Sequence, residues 1–208
     1  MTGLVWRRVE DKKGMTSVEI NLAGDKDMHA QLEAKGLFFH VLHMCDEADR
    51  ELGCGKVSDV LFSAYGRRPQ TWFFKYYAKL VMLLERETGK VVACAAVHVD
   101  TDEEDSIVEF KIRFEAVDRE LQRKGLGSLL FKVIERFAVR HVVELGFING
   151  MLMAFVDEDK LEDASHTEHW HGEFMVKNGF IRLPAEDELD EEERGLAFGK
   201  PLSIPSHE

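Results

Sequence analysis

What this sequence lacks narrows it quickly. No apolar run approaches the ~18 residues that span a bilayer, so no membrane partner is expected. Met1 to Glu10 (MTGLVWRRVE) has no apolar stretch of the kind a signal peptide carries, which puts the expected location inside the cell, in the cytoplasm. The three cysteines, Cys45, Cys54 and Cys94, are odd in number and share no repeated spacing; no disulfide framework is implied, and they read as reduced thiols. Basic charge is also short: 27 Lys and Arg stand against 39 Asp and Glu, a formal net charge of −12. An acidic field repels nucleic-acid phosphates, and no basic stripe interleaved with aromatics offsets it, so direct DNA or RNA binding is not expected. A cationic partner is. No internal repeat is present, and the one biased segment, Glu186 to Glu193, is acidic at seven of its eight positions. It is either a solvated loop or an acidic lip that steers amines.

What is present centres on one strand, loop and helix. Ser106 to Val117 (SIVEFKIRFEAV) alternates strictly, with Val108, Phe110, Ile112, Phe114 and Ala116 on one face and Glu109, Lys111, Arg113 and Glu115 on the other. Leu129, Leu130, Val133, Ile134, Phe137, Ala138, His141 and Val142 then recur at helical spacing, which predicts a helix starting near Gly127. Between them lies Gln122-Arg123-Lys124-Gly125-Leu126-Gly127. Glycines let the backbone come close to a ligand, while the first helical turn offers unpartnered N–H groups and the positive end of the helix dipole. A pyrophosphate would satisfy both. The loop is not a Walker A motif, because no Gly-Lys-Ser/Thr closes it, and a dinucleotide fingerprint needs a third glycine.

This segment resembles motif A of the GNAT superfamily of acetyl-CoA-dependent N-acetyltransferases, whose loop reads Gln/Arg-x-x-Gly-x-Gly/Ala. The approach matches too: Ala116-Val117-Asp118, with Gln122 five residues after Val117. The resemblance implies an α/β fold with a central, mostly antiparallel mixed sheet flanked by helices, and acetyl-CoA as co-substrate. It implies a pantetheine arm held by backbone groups near Glu115 to Val117, on a strand splayed from its neighbour, and a pyrophosphate held by the amides of Arg123, Lys124, Gly125, Leu126, Gly127 and Ser128. Ala116, Val117 and Gln122 complete that set. Arg123 and Lys124 either add positive charge there or are a solvated basic pair. No metal is expected.

Coarse periodicity supplies the rest of the order. Met28 to Met44 carries helical spacing in Leu32, Leu37, Phe38, Val41 and Leu42, broken near Gly36; Val57 to Ala64 is a second helical stretch, ended by Gly66 and Pro69. Tyr77 to Glu87 and Val91 to Asp100 are runs joined by Thr88-Gly89-Lys90, a hairpin signal, and the second is apolar on both faces, as an interior strand is. Asp100 to Asp105 is an acidic connector. A strand over Ile148 to Val156 leads to an acidic loop, Asp157 to Asp163. A helix over Thr167 to Asn178 is closed by Asn178-Gly179, and short strands follow at Phe180 to Leu183 and Leu196 to Leu202. This order resembles the GNAT fold over roughly residues 30 to 203, with Lys177-Asn178-Gly179-Phe180 similar to that family's late-helix ending. We therefore divide the chain into a 1–27 segment with room for an edge strand, a 28–203 acetyltransferase domain and a 204–208 tail. Phe38 to Val97 also resembles the acetyltransferase module attached to PHD fingers in plant transcription regulators. That likeness admits a nuclear location and a protein lysine, although no PHD finger is present.

The chemistry is less complete than the cradle. Glu109 and Glu115 are candidate general bases on the polar side of their strand, or outward charges paired with Lys111 or Arg113. The family's usual base position, six residues before the valine, holds Lys111, and its usual acid, a tyrosine four residues before the late-helix glycine, is replaced by Met175. Methionine cannot donate a proton. His166, His169 and His171 lie nearby with Glu168; His171, one turn from Met175, is a candidate proton relay. The alternatives are a polar helix start anchored by Trp170, or zinc ligands without a clear third partner. His40 and His43 with Cys45 and Cys54 pose the same zinc question, an amphipathic helix being the other reading. Two functions stand: acetyl transfer to a primary amine, either a small cationic amine or a protein lysine or N-terminus, or a GNAT-fold domain that binds acyl-CoA or a protein with catalysis weakened or lost. The acceptor, the acyl-chain preference and the oligomeric state stay open.

Overall fold

The first element the chain completes is a hairpin. In the computed structural model, which describes residues 7–10, 16–19, 26–44, 47–66, 68, 79–102, 104–157, 168–183 and 195–204, β1 (Arg7–Glu10) pairs antiparallel with β2 (Thr16–Glu19). Where the sequence left room for one edge strand, two form. The chain divides into two compact units, Met1–Val97 with Phe114–Val133, and His98–Arg113 with Ile134–Glu208.

In the first unit α1 (Lys26–Glu33) is short, because Gly36 takes a left-handed φ of 64° and closes the helix. The helical spacing expected up to Met44 fails beyond it: Leu37–His43 is a strand, β3. Leu37 and Val41 are spaced like neighbours on a helix, yet the stretch is rich in aromatic and branched residues that suit a pleated surface. Leu37, Phe39 and Val41 are buried on one strand face. β3 pairs along its length with β4 (Lys79–Glu85), which pairs with β5 (Val91–Asp102) across the expected Thr88-Gly89-Lys90 turn. Gly89 has φ 68°, and the Thr88 hydroxyl donates to the Glu85 carboxylate at 2.7 Å. β5 is buried from Val91 to Val97, as its two-sided apolar character predicts. α2 (Glu47–Tyr65) begins ten residues before the expected Val57. Gly53 and Gly55 obscure that half in the sequence; Gly53 faces the Met44 side chain where a Cβ would collide, so the glycine lets helix and strand come together. The core of this unit brings Val57, Val60 and Leu61 of α2 against Leu42, Leu80, Met82, Cys94 and Phe114.

β6 (Ile107–Val117) and α3 (Leu126–Leu145) run through both units. Burial on β6 alternates as the sequence predicts, and the α3 stripe is buried at Leu129, Leu130, Val133, Ile134, Phe137, Ala138 and Val142. In the second unit β6 pairs parallel with β7 (Asn149–Asp157), which pairs antiparallel with β9 (Gly195–Pro201), itself beside the short β8 (Ile181–Arg182). Phe110 meets Phe137 and His141 of α3 edge-on, at ring separations of 6.2 and 6.0 Å. α4 (Glu168–Lys177) ends as expected at Asn178-Gly179: Gly179 has φ 85°, and the Phe180 N–H reaches back to the Met175 carbonyl at 3.1 Å. The architecture is thus α/β, with a mixed, mostly antiparallel sheet flanked by helices. Among the described residues no helix is long and apolar enough to cross a membrane. The acidic stretches 158–163 and 186–193 lie outside the described residues.

Candidate functional site

The loop after β6 is pinned at its entrance. Asp118, nearly buried, accepts from Lys90 Nζ at 2.7 Å, Ser63 Oγ at 3.1 Å and the Glu120 N–H at 3.2 Å. Ser63 Oγ in turn accepts from the Arg119 N–H at 3.0 Å. The bond from Lys90 chiefly holds the Asp118 carboxyl below its ordinary range, with the Glu120 and Ser63 bonds adding to it against the opposing cost of burial. A short 3₁₀ turn, Arg119–Leu121, follows. The chain then passes Arg123 at φ 61° and Gly125 at φ 81° before α3 begins at Leu126. A side chain at Gly125 would meet no neighbour, so the backbone there is bare as well as left-handed. The first intrahelical bond runs from the Leu129 N–H to the Gly125 carbonyl at 3.0 Å, which leaves the N–H groups of Leu126, Gly127 and Ser128 pointing out of the helix start. No acidic residue occupies that first turn. Bare glycine backbone, outward amides and the exposed Lys124 fit a pyrophosphate at this position.

The strand feeding the loop is longer than its described ladder with β7. The β6 ladder with β7 runs from Ile107 opposite Asn149 to Ile112 opposite Ala154, yet β6 continues to Val117 and β7 to Asp157. The Asp118 N–H donates to the Val92 carbonyl of β5 at 2.9 Å. Strand alternation then turns Ala116 toward β5 and the polar groups of Glu115 and Val117 toward the opposite edge. Both carbonyls have donors: the Tyr65 hydroxyl donates to Glu115 O, and Gln122 Nε2 to Val117 O at 3.2 Å. Burial of the hydroxyl, then the Glu115 charge, push Tyr65 well above its ordinary range, so it is a neutral donor.

The candidate catalytic groups fall in both units. Glu115 is half-buried in the first unit; burial and then the Glu115 charge also keep the Cys94 thiol protonated. Glu109 lies in the second unit, 3.6 Å from Lys111 Nζ, and Lys111 is 3.3 Å from Asp100, whose other oxygen meets His98 Nε2 at 2.8 Å. Lys111, standing at the usual base position, is therefore set among carboxylates. Met175 is 1% exposed and packs in the core. His171 and His169 lie on α4, with side chains outside the described set, and His166 is outside it altogether. His40 and His43 occupy β3, where a spacing of three puts them on opposite faces; the helical account of that pair is corrected, and Cys45 is outside the described residues. Lys79 Nζ sits 2.5 Å from His43 Nδ1. Among the described residues no group of three or more potential metal ligands assembles.

Sequence reasoning missed Ser63, Tyr65 and Lys90 as parts of this region, and placed Asp118 in the approach to the loop without its role as an anchor. Ser63 and Tyr65 act from 55 and 50 residues away, so no local pattern could reveal them. Asp118 alone carried a signal, as a short acidic residue at a strand end ahead of a turn.

The Acetyltransferase (GNAT) family model matches residues 41–170. No curated protein sequence matches the chain. Similar solved structures include the ribosomal-protein-S18-alanine N-acetyltransferase of Escherichia coli, at 17% identity and a TM-score of 0.48, covering 81% of this chain and 97% of that one. An aminoglycoside acetyltransferase from an uncultured soil metagenomic sample, in complex with sisomicin, is 16% identical with a TM-score of 0.49, covering 76% and 95%. The AtaTR complex bound with acetyl-CoA is 19% identical with a TM-score of 0.49, covering 81% and 94%. With the family model spanning more than half of its length, from the middle of β3 into α4, the chain belongs to the GNAT acetyltransferase family.

Proposed function

We propose that the chain transfers an acetyl group from acetyl-CoA to a primary amine. The observation that carries this reading is the junction of β6 and α3: a strand that outruns its parallel ladder at Ile112, followed by a left-handed Gly125 and the outward amides of Leu126 to Ser128. In this reading the amides from Arg123 to Ser128 hold the pyrophosphate, the edge of β6 from Glu115 to Val117 holds the pantetheine arm, and acetyl-CoA supplies the activated acyl group. A general base, Glu115 or Glu109, takes a proton from the acceptor ammonium so that the neutral amine can attack the thioester. Buried Met175 supplies no proton to the departing thiolate; His171 or solvent does. The acidic balance of the chain, much of it in the sequence 186–193, favours a cationic acceptor. A small amine, a protein lysine and a protein N-terminus all fit that description.

A second reading has its own support. Lys111 paired with carboxylates and Met175 packed in the core suit a domain that binds acyl-CoA without turning it over. Thermal melting with CoA, acetyl-CoA and ATP in parallel, followed by CoA release on a panel of amines, tests both. At ligand concentrations about 100 Kd, mass action adds ~2.7 kcal/mol, which at this chain size raises Tm by roughly 5–11 °C. Both CoA species should stabilise the fold and ATP should do much less. No shift with CoA refutes the acyl-CoA site; a shift without turnover on any amine selects the second reading.

A further inference from the structure

The two carbonyls on the outer edge of β6 are both met by side-chain donors, and the two donors come from opposite directions. Gln122 folds back from the loop onto Val117 O, while Tyr65 reaches from the last turn of α2 onto Glu115 O. Neither is a ladder bond. An amide-bearing arm running back along β6 from a pyrophosphate at Gly125 would use these same carbonyls, and Glu115 lies farther from the loop than Val117. The Tyr65 ring is half-exposed and the helix ends beside it at Gly66, with φ 68°, so the side chain can rotate away without disturbing a packed core. Ser63, two residues earlier, keeps its own bond to Asp118 and holds the helix end in place when the tyrosine leaves.

Resting on the acyl-CoA reading above, we infer that Tyr65 is a displaceable stand-in for the pantetheine arm, whose hydroxyl occupies the Glu115 carbonyl in the free protein and gives it up to an amide N–H of the arm. A ligand without such a donor leaves the phenol where it is. The phenol therefore weakens the binding of a ligand that carries the arm and leaves nucleotides that carry the phosphates alone unaffected. Because the phenol competes with the arm, deleting its hydroxyl removes a competitor.

Binding of CoA and of adenosine 3′,5′-bisphosphate, which lacks the pantetheine arm, to wild type and Tyr65→Phe tests this. Tyr65→Phe should bind CoA roughly two- to tenfold more tightly, the range a single neutral hydrogen bond covers, and adenosine 3′,5′-bisphosphate with less than a twofold change. Unchanged or weaker CoA affinity, or an equal gain for both ligands, overturns the inference. Failure of wild type to bind either ligand would instead refute the acyl-CoA site itself. A second readout needs no deletion: 3-fluorotyrosine placed at position 65 of the full chain should shift its fluorine resonance with CoA and not with adenosine 3′,5′-bisphosphate. An unmoved resonance with CoA bound shows that the phenol stays on the carbonyl, and refutes displacement.

Discussion

Lowering pH should weaken this fold through His40, and the size of the effect follows from its surroundings. The imidazole lies largely buried on β3, its Nε2 has no hydrogen-bond partner among the described residues, and burial, with Lys56 adding repulsion, lowers its pKa from 6.5 to about 4. A depressed histidine pKa means that the unfolded chain binds a proton the folded chain refuses. The associated stability is complete above pH 6.5 and is lost as pH falls toward 4, at about 1.4 kcal/mol per pH unit. Between pH 7 and pH 5 the loss is about 2 kcal/mol, or roughly 4–8 °C in Tm. His40→Leu removes the titration and keeps the site apolar. Urea unfolding of wild type and variant across this range isolates the histidine from carboxylates that titrate in both. The variant curve should be flatter by the stated amount; parallel curves would refute the assignment of a buried, neutral imidazole.

Gly127→Glu should abolish CoA binding in calorimetry while leaving far-UV circular dichroism and the melting point of the free protein nearly unchanged. A carboxylate in the first turn of α3 suits the helix dipole yet occupies the place of a phosphate, so unchanged CoA affinity would move the cradle elsewhere. His171→Ala should lower kcat on the order of 10²-fold with CoA affinity intact if this histidine reprotonates the thiolate, and an unchanged kcat would assign that step to solvent. Met175→Tyr, which restores the hydroxyl usual in the family, should cost about 1–3 kcal/mol in urea unfolding because Met175 is fully buried, and a neutral change would show room that the core lacks.

The parts legible in the sequence are those in which one face of one element is buried. β6 shows its alternation and α3 its stripe because each faces apolar neighbours on one side and polar surroundings on the other, and Gly125 announces the loop because few other residues accept its φ of 81°. β3 was obscured by coincidence, since Leu37 and Val41 satisfy helical spacing as well as strand alternation. The first half of α2 was obscured by Gly53, whose role is visible only once Met44 lies against it. The site divides in the same way. Gln122 to Ser128 are contiguous, so the turn and helix start there are legible in the sequence, whereas Tyr65 reaches Glu115 and Ser63 reaches Asp118 through tertiary contact alone. Lys111 and Met175 were visible as departures, but their ion pairs and burial required the fold.

The anchoring of Asp118 sets the scale on which the loop entrance opens. Surface loops usually exchange their amide hydrogens through small local excursions. Here the Arg119 and Glu120 N–H groups bond to Ser63 on α2 and to Asp118, which is itself held from the β4–β5 hairpin by Lys90. Those acceptors are thus tied to α2 and to the hairpin as well as to the loop. Exchange of these amides should therefore respond to a change at Lys90, 28 residues before Asp118, and not to the loop alone.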